Sequence, residues 1–547
     1  MAKHIGPQHG WPEEYVQRYQ QAGYWRGETF GTMLRERALE HPQRIAVAGN
    51  KQRLSYEQLD RDASTIGAGL LAGGFNAGDR IVVHLPNIPE FVSVIFGMFR
   101  VGIVPVYALP AHRITEIEHF VNSSGARAYL CAAEHGGFDY CSLADTLKER
   151  CPDLEQVFVI GESSGRHTSL QALMDGAADT QLPATAAAPQ DIAFLQISGG
   201  TTGLSKLIPR THDDYIYTLR ESARICGLDA DSVMLCALPM AHNFPMSSPG
   251  FLGTLYAGGR VVLSPTPTPQ DCFELIASEK VTQCSLVPPL LMLWLDAAER
   301  SKPDLSTLRV MQVGGAKLSA AVARRVKPIF GVTLQQVFGM AEGLVNYTRL
   351  DDDQDTIMET QGRPISPDDE ILILDDNGVP VPPGQAGHLL TRGPYTIRGY
   401  YNNPGANQRS FEDGYYRTGD IVKLTPAGYL VVQGRAGDHI NRAGEKISAE
   451  EVENYLLSHP GVFDAAVVSV PDPYLGERSC AFIIPKNEKP RAIELKKWVR
   501  EQGIAEFKVP DQIVFVDTFS ETAVGKISRK TLRAQLRAQL EQTQHNS

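Results

Sequence analysis

Ile192-Ala-Phe-Leu-Gln-Ile197 runs straight into Ser198-Gly-Gly-Thr-Thr-Gly-Leu-Ser-Lys206. An almost continuously apolar run of strand length, bounded by turn-forming residues, predicts a strand buried on both faces. Behind it, Gly199, Gly200 and Gly203 let consecutive backbone N–H groups converge on an anion. The hydroxyls of Ser198, Thr201, Thr202 and Ser205 add donors and Lys206 adds charge, so the stretch predicts a phosphate cradle. A Walker A loop is excluded: that motif sets Gly-Lys-Ser/Thr side by side, whereas Leu204 and Ser205 part Gly203 from Lys206.

Similar short runs recur on either side, at Arg80–Leu85, Val233–Leu238, Arg260–Leu263 and Arg309–Val313, alternating with helical patterns. That grammar predicts an α/β body. Glu370–Leu374 then reaches the turn Asp376-Asn377-Gly378, and His388–Thr391 and Tyr429–Val432 follow, which predicts a β-rich subdomain. After Gly434 the pattern changes. Ser448-Ala-Glu-Glu451 has the form of a capping box, with Val452, Tyr455 and Leu456 behind it at helical spacing. Strands at 465–470, 480–484 and 512–516 and a helix at 493–501 complete a small α+β lid. The expected division is a body over 1–434 (two α/β subdomains and a β-rich one) and a mobile C-terminal domain over 435–547, hinged at 435–438.

A chain of 547 residues needs more than one core. Lys and Arg total 52 against 63 Asp and Glu, a net charge of −11, which is the wrong sign for coating nucleic acid. The apolar stretch from Phe91 to Pro110 is broken by Arg100 and Pro105, and the start carries no apolar h-region, so neither a membrane span nor a signal peptide is expected. Eight cysteines, none in a C-x-x-C pair, read as buried thiols of a cytoplasmic protein.

The glycine-threonine loop resembles the phosphate loop of the adenylate-forming (ANL) superfamily. Four more strings match that family in order: Val337-Phe-Gly-Met-Ala-Glu-Gly343, Tyr416-Arg-Thr-Gly-Asp420, Gly434-Arg-Ala-Gly-Asp438 through Gly444-Glu-Lys-Ile447, and Gly525-Lys526-Ile-Ser. The resemblance implies ATP and Mg²⁺ as cofactors and a carboxylate attacking the α-phosphorus in line, so that catalysis is alignment and charge neutralisation. It assigns Mg²⁺ to Glu342, the ribose hydroxyls to Asp420 and Arg435, and the adenine wall to Gly314, Gly315, Val337, Phe338 and Gly339. Lys526 becomes the cation between attacking oxygen and α-phosphate. Gly437 and Gly444 become the hinge and the lining of a thiol tunnel. Two positions depart from the pattern: Gly437 stands where relatives carry Asp or Lys, and Ala341 where many carry Thr.

The string Met240-Ala-His-Asn-Phe-Pro-Met-Ser-Ser-Pro-Gly250 lies where amino-acid-activating relatives carry an Asp for the α-ammonium; here the position is Asn243. A neutral amide can bond a phenolic oxygen but cannot neutralise an ammonium, so an aryl acid is expected, held by Asn243, Phe244, Ser248, Gly314, Val337 and Val345. The string is similar to the aryl-acid-activating branch of siderophore pathways. Ser248 points to 2,3-dihydroxybenzoate over salicylate, the alternative being that its hydroxyl only satisfies backbone. His242 either gates the carboxylate or is structural. The resemblance further implies transfer to the phosphopantetheine thiol of a separate aryl carrier protein, with Lys496, Lys497 and Arg500 as a basic face toward it. Competing readings are salicylate activation, an aryl-CoA ligase, and a catalytically silent nucleotide-binding scaffold.

Overall fold

The computed structural model describes residues 10–49, 51–162, 165–177, 180–183, 186–198, 205–436, 439–442, 445–472, 475–486, 488–502, 506–519 and 531–532. The body contains two large, mainly parallel sheets. In the first, the order is Leu207–Thr211, Ile192–Ile197, Val104–Tyr107, Arg80–His84, Ala128–Ala132, Gln156–Ile160 and Thr168–Ser169. In the second, strands Val233–Cys236, Arg260–Leu263, Gln283–Leu286, Val310–Gly314 and Thr333–Met340 form the centre, and Gly343–Tyr347 turns back antiparallel. A five-stranded antiparallel sheet of Glu370–Leu374, Gly387–Arg392, Phe411–Glu412, Tyr415–Leu424 and Leu430–Arg435 follows. A second five-stranded sheet with helices Ala449–Leu457 and Ala492–Glu501 forms the C-terminal domain. The expected α/β body with a β-rich subdomain and a small α+β domain is the fold.

Local chemistry explains the elements. Every residue of Ile192–Ile197 is buried, as its unalternating sequence requires. Every residue of the helix Pro89–Arg100 but Glu90 is buried, and the Arg100 that interrupts its apolar run is held by Asp60 and Ser64. No helix among the described residues is long and apolar enough to cross a membrane. All eight cysteines are buried, and burial pushes Cys236, for one, up to about 12, so they are inert thiols.

One reading is corrected. The box at Ser448 is half formed: its hydroxyl accepts from Glu451 N at 3.3 Å. The Glu451 carboxylate pairs instead with Lys508 at 2.7 and 2.8 Å, because a full charge satisfies it better than a backbone N–H. On Ala492–Glu501, Lys496 donates to Asp511 O, Lys497 lies 3.6 Å from Glu501, and Arg500 pairs with Glu506 at 2.8 Å.

The sequence reading passed over an aromatic N-terminal segment. Trp25 packs edge-on to Tyr19 and Trp11, Tyr24 stacks on Tyr217, and Trp25 Nε1 donates to Pro394 O, tying the second sheet's helix layer to the β-rich subdomain.

Candidate active site

The strands Ile192–Ile197 and Leu207–Thr211 on either side of the glycine-rich stretch pair antiparallel as a hairpin. Its stem is clamped twice: Ser198 N donates to Lys206 O, and Lys206 N donates to Ser198 Oγ, both at 2.9 Å. Gly199, Gly200, Thr201, Thr202 and Gly203 lie outside the described residues, as do Gly437, Gly444 and Lys526.

Lys206 and Glu342 meet through a residue the sequence reading missed. The Lys206 ammonium sits 4.2 Å from the centre of the Tyr400 ring, and the Tyr400 hydroxyl donates to Glu342 Oε1 at 2.8 Å. Tyr416 stands 3.1 Å from the same hydroxyl. Burial lowers the Lys206 pKa, with the Glu342 charge opposing; burial, and then Glu342, raise that of Tyr400, so the phenol stays protonated and donates. A hydrogen bond to a carboxylate is worth about 1.5–3 kcal/mol and an ammonium over an aromatic face about 0.5–2. Arg210, almost wholly buried against Asp214 at 2.8 Å, donates to Ala341 O and Tyr395 O and fixes the turn that carries Glu342. Ile397 N closes it on Glu342 O at 2.8 Å.

Asp420 and Arg435 face each other in paired strands, with Arg435 Nε 2.9 Å from Asp420 Oδ1 and Nη1 donating to Thr418 O. The acidic partner is buried and the guanidinium largely exposed, an acceptor and a donor side by side that suit a diol.

The expected acid pocket is also brought together. Gly314 pairs with Val337, and a β-carbon on Gly314 would stand 2.7 Å from Val337 O and 3.1 Å from Phe244 Cζ, so only glycine leaves this wall flat. Gly315 takes a positive φ of 84°, which suits glycine. Val345 lies opposite Gly339, and its N–H donates to the Tyr395 hydroxyl. Phe338 is partly buried against the β-rich subdomain's core. His242 Nδ1 accepts from Phe244 N at 3.2 Å and caps the short helix Asn243–Ser247. Asn87, from the first α/β subdomain, donates to Leu238 O and accepts from Met240 N, gripping the backbone that leads into this helix.

Asn243 Oδ1 accepts a 2.8 Å hydrogen bond from the Tyr215 hydroxyl. Ser248 is buried, and its hydroxyl and that of Ser222 approach the phenol of fully buried Tyr347, which makes no well-formed hydrogen bond among the described residues. The tyrosines 215, 347, 395 and 400 sit in apolar or unremarkable strings, so only Tyr416, inside a quoted motif, could have been singled out from sequence.

The buried carboxylate of Glu342 near Lys206, the Asp420–Arg435 pair and the two α/β subdomains have the arrangement of an adenylate-forming enzyme. The AMP-binding enzyme model matches residues 34–401 and the AMP-binding enzyme C-terminal domain model matches 451–526, and the chain belongs to that family. It is 57% identical over 524 residues to the 2,3-dihydroxybenzoate-AMP ligase of Bacillus subtilis (strain 168), covering 96% of each chain. A Streptomyces salicylyl-CoA synthase / salicylate adenylyltransferase is 48% identical over 532 residues, 96% of each. The apo structure of MbtA from Mycobacterium smegmatis superposes with a TM-score of 0.75 at 44% identity, covering 96% of this chain and 98% of that one.

Proposed function

We propose that this enzyme activates an aryl acid, preferentially 2,3-dihydroxybenzoate, to the aryl-AMP with release of pyrophosphate. It then passes the aryl group to the phosphopantetheine thiol of a separate aryl carrier protein. The observation that carries this reading is the acid pocket: a neutral amide at Asn243 and a hydroxyl at Ser248 beside a flat apolar wall of Gly314, Phe244 and Val337. None of these described residues carries a charge to match an ammonium, and a flat wall fits a ring. The name of the Bacillus subtilis relative agrees with it.

In the first step a carboxylate oxygen attacks the α-phosphorus and pyrophosphate leaves. Lys206 and the loop amides hold the phosphates, Asp420 and Arg435 hold the ribose, and Gly315, Val337, Phe338 and Gly339 border the adenine. Lys526 balances charge between attacking oxygen and α-phosphate, an interaction strongest in the transition state. Mg²⁺ binds through phosphates and one or two carboxylates more often than in all-protein cages. Glu342 fits that donor set, being buried with Oε1 already oriented by Tyr400, and among the described residues no group of three or more His, Cys, Asp or Glu forms a cage. When bound, the ion neutralises phosphate charge.

For the second step, the C-terminal domain turns about 435–438, so that Lys526 withdraws and Gly444 lines the path of the thiol. The body occupies 1–434, the moving domain 435–547, and the protein works in the cytoplasm. Salicylate is the second reading, favoured by the Streptomyces relative's name.

The test is pyrophosphate–ATP exchange with benzoate, salicylate, 2,3-dihydroxybenzoate and amino acids. The greatest kcat/KM is expected for 2,3-dihydroxybenzoate; strongest exchange with an amino acid refutes the reading. Thioester formation should favour a holo-carrier over free CoA, and equal use of CoA removes the carrier.

A further inference from the structure

Tyr215 lies on the helix His212–Ile225 with its ring wholly buried, edge-on to Phe194 at 4.7 Å and under the Arg210 guanidinium at 4.6 Å. Its one proton goes to Asn243 Oδ1 at 2.8 Å. Burial raises its pKa, so the phenol remains a donor at every working pH. An asparagine amide carries one acceptor oxygen and a two-proton donor nitrogen, and which of them faces a ligand depends on what holds the other. Turning the amide over would deprive the buried phenol proton of this acceptor, at a cost of about 1–3 kcal/mol. The neighbouring Ser247 hydroxyl reaches back to Asn243 O at 3.3 Å and so braces the same residue. Asn243 itself is only partly buried, on the helix that faces Gly314 through Phe244.

We propose that Tyr215 is a positioning residue for substrate choice: by occupying Asn243 Oδ1 it leaves the amide's N–H donors for the acid. This inference rests on the aryl-acid reading and narrows it. The pocket then takes ring acids with an acceptor oxygen beside the carboxyl group. It refuses an amine at that position, because an ammonium is repelled by the N–H donors and a ring-conjugated amine is a poor acceptor. Charge alone at Asn243 explains the exclusion of α-amino acids; the orientation set by Tyr215 adds discrimination between salicylate and anthranilate, which are nearly the same size.

The experiment compares kcat and KM in pyrophosphate–ATP exchange for salicylate, anthranilate and benzoate. The variants are Tyr215→Phe, Asn243→Asp and the double variant. Tyr215→Phe removes one oxygen and keeps the ring packing. Its salicylate-to-anthranilate preference should fall at least ~5-fold, the worth of about one net hydrogen bond, through the KM for the acid and with benzoate unchanged. A carboxylate has two equivalent oxygens and no orientation to lose. In the Asn243→Asp background, therefore, Tyr215→Phe should leave the preference where Asn243→Asp alone puts it. An equal fall in both backgrounds marks a general packing effect and overturns the proposal, as does an unchanged preference in Tyr215→Phe. A parent enzyme that exchanges with no ring acid sinks the functional reading and this inference together. A parent active on ring acids but indifferent to Tyr215→Phe sinks the inference alone.

Discussion

At the end proposed to hold the phosphates, Lys206 and Glu342 are charged groups held by the phenol of Tyr400, with Tyr416 behind it. At the end proposed to hold the acid, Asn243 and Val345 are uncharged groups held by the phenols of Tyr215 and Tyr395, with Tyr347 beside Ser248. Both ends use buried tyrosines as fixed donors or acceptors, but for different purposes. Where charge must be neutralised, the phenol orients an ion whose interactions are strong and long-ranged. Where two similar rings must be told apart, it orients a dipole, and small energies decide. Damage at the first end should therefore appear in rate, and damage at the second in preference.

The contrast predicts a graded series. Lys526→Ala should lower exchange by about 10²–10³ or more, with modest change in ATP affinity measured by equilibrium binding, since its charge acts mainly in the transition state. Equal exchange by variant and parent would remove Lys526 from the chemistry. Tyr400→Phe should cost about 10–100-fold in kcat, the loss of a hydrogen bond to a carboxylate, and should raise the Mg²⁺ concentration giving half-maximal exchange. A loss confined to the KM of the acid would erase the division between the ends. Ser248→Cys should move the ratio of kcat/KM toward salicylate by ~3–10-fold with little change in maximal rate, because a thiol is the weaker hydrogen-bonding partner; an unchanged ratio takes Ser248 out of selection.

The smallest effect lies behind the acid wall, where Tyr395 joins Val345 N to the buried Asp369. Burial raises Asp369 to about 8, so the folded state favours the protonated carboxyl. A carboxyl with an unfolded value of about 3.9 then contributes stability that is full below that pH and is lost as pH rises toward 8. Thermal melts of the parent should show that decline. Asp369→Asn, which cannot ionise, should flatten it without altering substrate preference, and an undiminished slope would assign the decline to another group.

Much of this was legible in the residues. The strand Ile192–Ile197 announced itself because a strand covered on both faces is apolar almost throughout, and Glu342 and Asp420 stood in ordered motifs. The aromatic N-terminal segment and Tyr400 gave no signal, since a tyrosine bound for an active site has the same local sequence as one bound for the core. Ser448 illustrates the opposite failure, where a correct local motif lost half its bonding to Lys508, 57 residues away from its intended partner Glu451.

What the sequence determined alone was the order of elements, the fold class, the family and the absence of a formal charge at residue 243. These follow from hydrophobic pattern, glycine spacing and the identity of titratable groups, all local properties. The tertiary structure alone decided which way the Asn243 amide is held, which phenol carries Glu342, and that Arg210 braces the turn before it. Those are contacts between residues tens to hundreds of positions apart, and a hydrogen bond's direction exists only once both partners have been packed into place.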